Sequence, residues 1–463
     1  MVVTLLVICI ILFVALQLEE RFKIPTPLGL IGLSFITHYL FSGIPVITGD
    51  TEHFAALVLL LLPILLITDA FELSVADLKK HGLSLIYLAV VAVSLSVGLA
   101  LLSADTLFGQ YHLSFAAVIL LFAMVLATDP VSVVSIFSNF ELPHRLKILA
   151  EGESLFNDAT ALIVFVFVGL YALEGGEITV GYVTQISLIV ILGSTILGVF
   201  MGYLGLLLMK TTSNRIAELL IVIMVGYGAF ESAEFFYVFL NMFGAHSHLH
   251  LSGILACIFA TITLHHVMSK AVAADDEKLR QEEAELKRES GKENTSVHVI
   301  GFLFDSIKAT VEERDRHLRT KEDVQLLAIV ANTILFIAMA EIINLDLLMK
   351  YSTEIIVMFL ATTVIRALMM AKFAIITNKT TKMTNINFRW WGVLTFAGIK
   401  GGLSIVMLMM IPAEFEHLEM FTAVVVGVIM LSTFVYSAIL LAIIGRNAEI
   451  FRQEKEKEAQ ETC

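Results

Sequence analysis

Within six residues, Glu153, Ser154, Asn157 and Asp158 supply two carboxylates, a hydroxyl and an amide, and the chain then runs into apolar 159–173. Crossing a bilayer takes about 20 apolar residues, so this polar group must lie inside or at the edge of a membrane-spanning helix. At helical spacing Ser154 and Asp158 share one face, and Glu153 and Asn157 share the adjacent one. Ionisable groups at membrane depth are costly and usually mark an ion or proton path. Burial favours the protonated form of a carboxylate and a bound cation favours the ionised one, so proton and cation compete for one group. Glu153 has a structural alternative, which is to pair with a cation on another helix.

A second carboxylate lies in Thr128-Asp129-Pro130, which interrupts the apolar run 113–137 near its middle. Proline removes a backbone donor and disfavours helix at Asp129, which leaves free carbonyls. The Thr128 carbonyl, the Ser154 hydroxyl and the Asp158 carboxylate are hard oxygen ligands of the kind a small cation needs. Asp129 adds a carboxylate at similar depth, or else only caps the broken helix. In 391–411, Gly398-Ile399-Lys400-Gly401-Gly402 interrupts another span through glycine and adds a cation. Lys400 there fits offsetting helix-end and carboxylate charge better than moving protons. Arg366 lies mid-span in 353–377 and must have a partner, because an unpaired guanidinium at that depth costs several kcal/mol or more. Glu153 is the best candidate, with Asp129 next.

These residues sit on a chain of 463 residues, 58% hydrophobic and 16% charged, against the 45–50% apolar and about 25% charged of an ordinary soluble domain. The excess is arranged in long apolar runs, which makes this an all-α polytopic membrane protein. Thirteen spans fit: 1–18, 26–43, 54–73, 82–103, 113–137, 153–173, 182–209, 215–240, 249–268, 323–345, 353–377, 391–411 and 418–444. Alternate connections hold 27 of the 30 Lys and Arg, the opposite ones only Lys350, and Arg366 and Lys400 lie within spans. The positive-inside rule then puts the N-terminus outside and the C-terminus in the cytoplasm. The first span lacks the basic n-region and cleavage site of a signal peptide and reads as retained. Broken helices at matching places in two oppositely oriented halves point to an inverted-repeat transporter with its site at their crossing.

The net charge of −13 gives no reason to expect nucleic acid as a partner, and much of the acid lies in the insert 269–322 and the tail 445–463, read as solvated. Within the insert, Ile300, Leu303, Ile307 and Val311 share a face on a run too short to span, as in a helix lying along the cytoplasmic interface. Asp69 and Glu72 end the third span, and Glu231 and Glu234 lie on the eighth; each fits an entry funnel or a water-facing rim. His246, His248 and His250 alternate, which suits a strand better than a helical ligand pair. Three scattered cysteines give no disulfide framework. Without a phosphate-binding glycine loop, a nucleophile elbow or a zinc-protease motif, neither ATP-driven transport nor an enzyme is expected, and no cofactor.

At Ala127-Thr128-Asp129-Pro130-Val131, Gly152-Glu153-Ser154-Leu155-Phe156-Asn157-Asp158-Ala159, Arg366 and His250-Leu251-Ser252-Gly253-Ile254-Leu255-Ala256, the chain resembles the NhaP-type monovalent cation:proton antiporters, relatives of the animal Na⁺/H⁺ exchangers. The resemblance covers the membrane part from the third span onward. It implies a homodimer of thirteen-helix units (1–444), with a core domain at 82–173 and 353–444 and a dimerisation domain at 1–73 and 182–345. It implies that Asp158 binds the cation, helped by Ser154, Thr128 and, through water, Asp129, while Glu153 pairs with Arg366. Asn157 before Asp158 marks the electroneutral branch. Two departures stand out. Lys400 replaces the arginine of the family's usual Gly-Leu-Arg-Gly, and Asp69 falls where the family often has a glutamate ligand.

The expectation is therefore an electroneutral Na⁺(Li⁺)/H⁺ antiporter of a prokaryotic inner membrane, in contact with lipid. A K⁺/H⁺ exchanger is the nearest rival, because the ligand set does not fix cation radius. A cation channel would need a repeated carbonyl or charged-ring filter. An intramembrane hydrolase would need a catalytic dyad, which Asp129 and Asp158 meet only superficially.

Overall fold

A computed structural model describes residues 2–22, 24–40, 51–242, 250–290, 297–380, 383 and 385–462. It is helical throughout, without a strand among the described residues. The helices run in order α1 Val2–Phe22, α2 Thr26–Leu40, α3 Thr51–Glu72, α4 Val75–Tyr111, α5 Phe115–Leu126, α6 Pro130–Ser138, α7 His144–Leu173, α8 Val180–Met209 and α9 Arg215–Glu234. There follow α10 Phe236–Met242, α11 Gly253–Ser290, α12 Val297–Ile342, α13 Leu345–Lys350, α14 Ser352–Lys379, α15 Phe388–Phe396, α16 Gly402–Met409, α17 Leu418–Arg446 and α18 Ala448–Thr462. Among the described residues nine helical segments are long and apolar enough to cross a membrane. Helices α1, α2, α3 and the broken pair α15–α16 stand at the other four expected places without being among the nine, so the count of thirteen is not established.

The chain divides into two compact units, Met1–Leu62, Ala76–Val190 and Val330–Cys463 forming the first, and Pro63–Val75 and Ile191–Ile329 the second. The first unit contains both expected core segments, 82–173 and 353–444. The residues assigned to dimerisation divide between the two units.

In the first unit α5 is apolar all round, and every residue from Ala116 to Leu126 is buried. A helix of that kind belongs inside a bundle. Ser114 caps its start by accepting from the Ala117 amide at 3.2 Å. Its end is the expected break: Ala127 and Asp129 leave helical geometry and Pro130 starts α6. A second break separates α15 from α16, where Gly401 is extended. In α4, α7 and α17 one turn is wider than an α-turn, at Tyr87–Ala92, Phe165–Leu170 and Ser432–Tyr436. Such turns accommodate an extra residue and frequently sit near functional sites.

The tail is not simply solvated. Helix α18 contributes Phe451, fully buried, to the apolar cluster of the first unit that also holds Leu142, Leu146, Trp390 and Ile444.

In the second unit the insert departs from its expected form. Helix α12 continues without interruption from the insert into the tenth span, at about 69 Å for 46 residues. Neither proline nor glycine stands at the junction 312–322 to turn the chain along the interface. Helix α11 likewise runs out of the ninth span, and the two extensions pair: Arg314 meets Asp276 at 2.8 Å, and Ser306 donates to Glu282 at 2.6 Å. Farther along, Glu218, 2% exposed, receives Arg316 and His317 at 2.7 Å each. Glu72 receives Lys321 at 3.3 Å and Gln325 at 2.7 Å, which ties it to α12. Asp69 is half-buried in this unit, and Glu231 is exposed. Glu234 accepts from the Gly253 amide at 3.2 Å. His246 and His248 lie outside the described residues, while His250 Nδ1 stands 3.1 Å from the Glu234 carbonyl.

Candidate functional site

The two breaks meet in the first unit. The Asp129 amide donates to the Ile399 carbonyl at 2.7 Å. A Cβ on Gly401 would stand 2.5 Å from that of Asp129, so only glycine lets the backbones approach this closely.

Each break ends a helix whose last carbonyls need partners. At the end of α5, the Leu126 carbonyl accepts from the Asn157 amide at 2.8 Å and from Lys400 Nζ at 3.3 Å. At the end of α15, Arg366 donates through Nε to the Thr395 carbonyl at 2.9 Å and through Nη2 to the Leu394 carbonyl at 3.0 Å. Both interrupted helices therefore end on a cation from elsewhere in the unit, the sign that complements a helix C-terminus. Lys400 sits where a helix-end counter-charge was expected.

Arg366 also grips Glu153 through both arms, at 2.9 and 2.7 Å. The side chains are 9% and 4% exposed. This is the predicted pair in its bidentate form, the geometry best suited to a buried carboxylate and guanidinium. A Cβ on Gly398 would stand 2.3 Å from Arg366 Nε, so the glycine of the second break is also the space the guanidinium occupies.

Asp129 serves as a cap. One carboxylate oxygen accepts from the Val131 amide at 3.2 Å, and the other from the Ser132 amide and hydroxyl. Both oxygens are engaged at the start of α6, which is the alternative the sequence left open for this residue.

Asp158 is 8% exposed, and its Oδ1 accepts from the Thr128 amide at 2.7 Å. The break frees that amide from α5 and aims it at the carboxylate. The Thr128 hydroxyl accepts from the Asn157 amide at 3.2 Å, so Asn157 ties α7 to the broken strand of chain on both sides of Ala127. One turn before Asp158, the Ser154 hydroxyl is fully buried and has no hydrogen-bond partner among the described residues. A buried hydroxyl without a partner costs free energy unless something else fills the role, and beside a carboxylate a hydrated or bare small cation would do so.

The structure thus brings Thr128, Asp129, Glu153, Ser154, Asn157, Asp158, Arg366 and Lys400 together in one unit. Asp69 belongs to the other unit. One contributor was not singled out in the sequence. The Ser432 hydroxyl accepts from the Lys400 amide at 3.0 Å and donates to the Ile429 carbonyl at 3.0 Å, which anchors the second break to the wide turn of α17. The run Ser432-Thr433 inside the largely apolar span 418–444 was its signal.

With this geometry in hand, the chain can be set beside known proteins. Residues 7–281 match the family described as "Sodium/hydrogen exchanger, transmembrane". The chain is 24% identical over 359 residues to the Na⁺/H⁺ antiporter NhaG of Bacillus atrophaeus, covering 76% of this chain and 56% of that protein. It is 23% identical over 410 residues to the Na⁺/H⁺ antiporter NhaH of Halobacillus aidingensis, covering 86% and 85%. It thus spans little more than half of the first relative's length and most of the second's. The solved structure of the sodium proton antiporter MjNhaP1 of Methanocaldococcus jannaschii superposes with a TM-score of 0.68 at 16% identity, over 94% of this chain and 99% of that one. That agreement carries the fold, a polytopic helical membrane protein with crossing broken helices. By the extent of the sequence match, the chain belongs to the sodium/hydrogen exchanger family.

Proposed function

We propose that this chain is an electroneutral Na⁺(Li⁺)/H⁺ antiporter in which one cation and one proton compete for Asp158 and are carried alternately. The observation that carries this reading is the buried Asp158 carboxylate facing the end of a broken helix, held by one backbone amide and preceded by one turn on its own helix face by a hydroxyl without a partner among the described residues. Asp158 and Ser154 would hold the ion as substrate, with oxygen from the Thr128 segment completing the ligand set.

Charge bookkeeping supports the stoichiometry. The site holds three carboxylates, at Asp129, Glu153 and Asp158, against two cations, at Arg366 and Lys400. Glu153 is matched by Arg366, and Asp129 is held by the start of α6. One net negative charge remains with all five ionised. One monovalent cation or one proton restores neutrality, and exchanging one for the other moves no net charge. Relatives that carry the name Na⁺/H⁺ antiporter support the choice of substrates.

In this reading 82–173 and 353–444 form the moving core, 1–73 and 182–345 include the dimer contact, and the unit is a homodimer in a prokaryotic inner membrane with its N-terminus outside. Everted vesicles from cells making the protein test the exchange. Na⁺ or Li⁺ should dissipate a preformed pH gradient, and K⁺ should not. A response to K⁺ alone would replace the reading with K⁺/H⁺ exchange, and no response to any of the three would overturn it.

A further inference from the structure

We propose that Glu454 and Glu458 on the C-terminal helix are positioning residues that hold the cytoplasmic ends of the two helices bearing the site. The proposal rests on the exchange reading above. The two residues are four apart and share a face of α18 with Phe451. Phe451 is fully buried in the apolar cluster of the first unit, which fixes the depth and rotation of the helix.

Glu458 reaches the start of α7. Its carboxylate accepts from the Arg145 backbone amide at 3.2 Å and pairs with the same residue's guanidinium at 3.2 Å. The residue before α7 is Pro143, whose side chain caps nothing. One of the orphan amides of that helix end is therefore satisfied by an acid more than three hundred residues away in sequence.

Glu454 reaches the start of α15. It accepts from Asn387 Nδ2 at 3.2 Å, Arg389 Nη2 at 2.7 Å and Trp390 Nε1 at 2.9 Å. Asn387 is itself the cap of α15, accepting from the Trp390 amide at 2.9 Å. Negative charge at both helix starts also complements their dipoles.

The two helices held in this way are the ones that carry the chemistry. Asp158 lies thirteen residues beyond Arg145 on α7, about 20 Å along a rigid rod. Helix α15 ends at the break that carries Lys400 and touches Asp129. A shift in angle at either cytoplasmic end is carried to the Thr128–Asp158 contact. The tail is a staple across the site-bearing helices, and losing it should loosen the ion site without unfolding the bundle.

The full-length protein tests this with Glu454→Ala/Glu458→Ala and the acceptor-keeping Glu454→Gln/Glu458→Gln, read by amide hydrogen exchange and by Na⁺-driven proton flux. In the alanine variant, protection at 145–148 and 387–391 should fall roughly threefold to thirtyfold, the range for a lost cap. Half-saturating Na⁺ should rise by a similar factor and the pH profile should move, with the glutamine variant intermediate in both. Unchanged protection would overturn the staple. Lost protection with unchanged half-saturation and pH profile would overturn the positioning role. A wild-type protein with no Na⁺-driven flux would instead overturn the exchange reading, and the protection data would still decide the staple.

Discussion

The Asp129 amide donates to the Ile399 carbonyl at 2.7 Å, so the two interrupted helices are fastened to each other at their breaks. Each break frees backbone groups that would cost several kcal/mol apiece in an apolar surrounding. The crossing satisfies one donor and one acceptor from opposite helices with a single bond. Asn157 and Lys400 take the Leu126 carbonyl, and Arg366 takes those of Thr395 and Leu394, at the helix ends. The proposed ion site is thus where the backbone already requires polar partners.

Gly401 makes the crossing possible, and Gly401→Ala should break it. The added Cβ would fall 2.5 Å from the Asp129 Cβ and 3.1 Å from its Cγ. Overpacking of this kind costs about 1–3 kcal/mol. Thermal unfolding of the purified protein should show a clear drop for Gly401→Ala and almost none for Gly82→Ala, where no atom lies within 4 Å. Equal melting temperatures for the two variants would contradict the packed crossing.

Glu153 and Arg366 should couple in a double-mutant cycle. Removing either alone leaves a buried charge uncompensated, typically at a cost of about 3–5 kcal/mol. Glu153→Gln with Arg366→Gln removes both charges but abandons the Thr395 and Leu394 carbonyls. The double variant should therefore recover part of the lost stability and not all of it. Additive effects within a few tenths of a kcal/mol would deny the pairing.

How far the site could be read from sequence depends on whether a residue's partner is dictated by its chemistry or by its place. Arg366 at mid-span has one physical requirement, a buried carboxylate, and the sequence offered few. Thr128-Asp129-Pro130 announces its own break, since proline and the residue before it disfavour helix. Asp129 was not legible in the same way: cap and ion ligand demand the same carboxylate, and its contacts to Val131 and Ser132 are those of a cap. Ser432 could not be placed, because its partner is the backbone amide of Lys400 and amides carry no sequence signal. The tail and the insert were read as solvated from their charge. Phe451 docks the tail together with Glu454 and Glu458, whose partners lie far away in sequence, and the insert helices are continuous with spans because nothing interrupts them.

Asn157 should be needed as a donor and should contribute no charge to transport. Its amide serves both the Leu126 carbonyl and the Thr128 hydroxyl. Asn157→Asp places a carboxylate against that carbonyl, close to Lys400, and should lower stability by about 1–3 kcal/mol. On a solid-supported membrane, neither the wild type nor this variant should give a steady current that follows the imposed potential. Such a current from the wild type would contradict one-for-one exchange.

Lys400 should act through its charge at the end of α5. Lys400→Met keeps the length of the side chain and leaves the Leu126 carbonyl to the Asn157 side-chain amide. It also leaves the site with one more net negative charge. Melting temperature should fall, and flux driven by Na⁺ should change its pH profile as well as its rate. A variant indistinguishable from wild type in both would show that the ammonium has no part in the site.

Competition of cation and proton for Asp158 is tested by Na⁺-driven proton flux in proteoliposomes carrying Asp158→Asn. The amide keeps the volume of the carboxylate, so the protein should fold. In the wild type, lowering the pH protonates Asp158 and the cation must displace a proton, so half-saturating Na⁺ should climb toward about tenfold per pH unit. In Asp158→Asn the flux should fall to that of empty vesicles at every pH and Na⁺ concentration. Na⁺-driven flux near the wild-type rate in that variant would contradict the account.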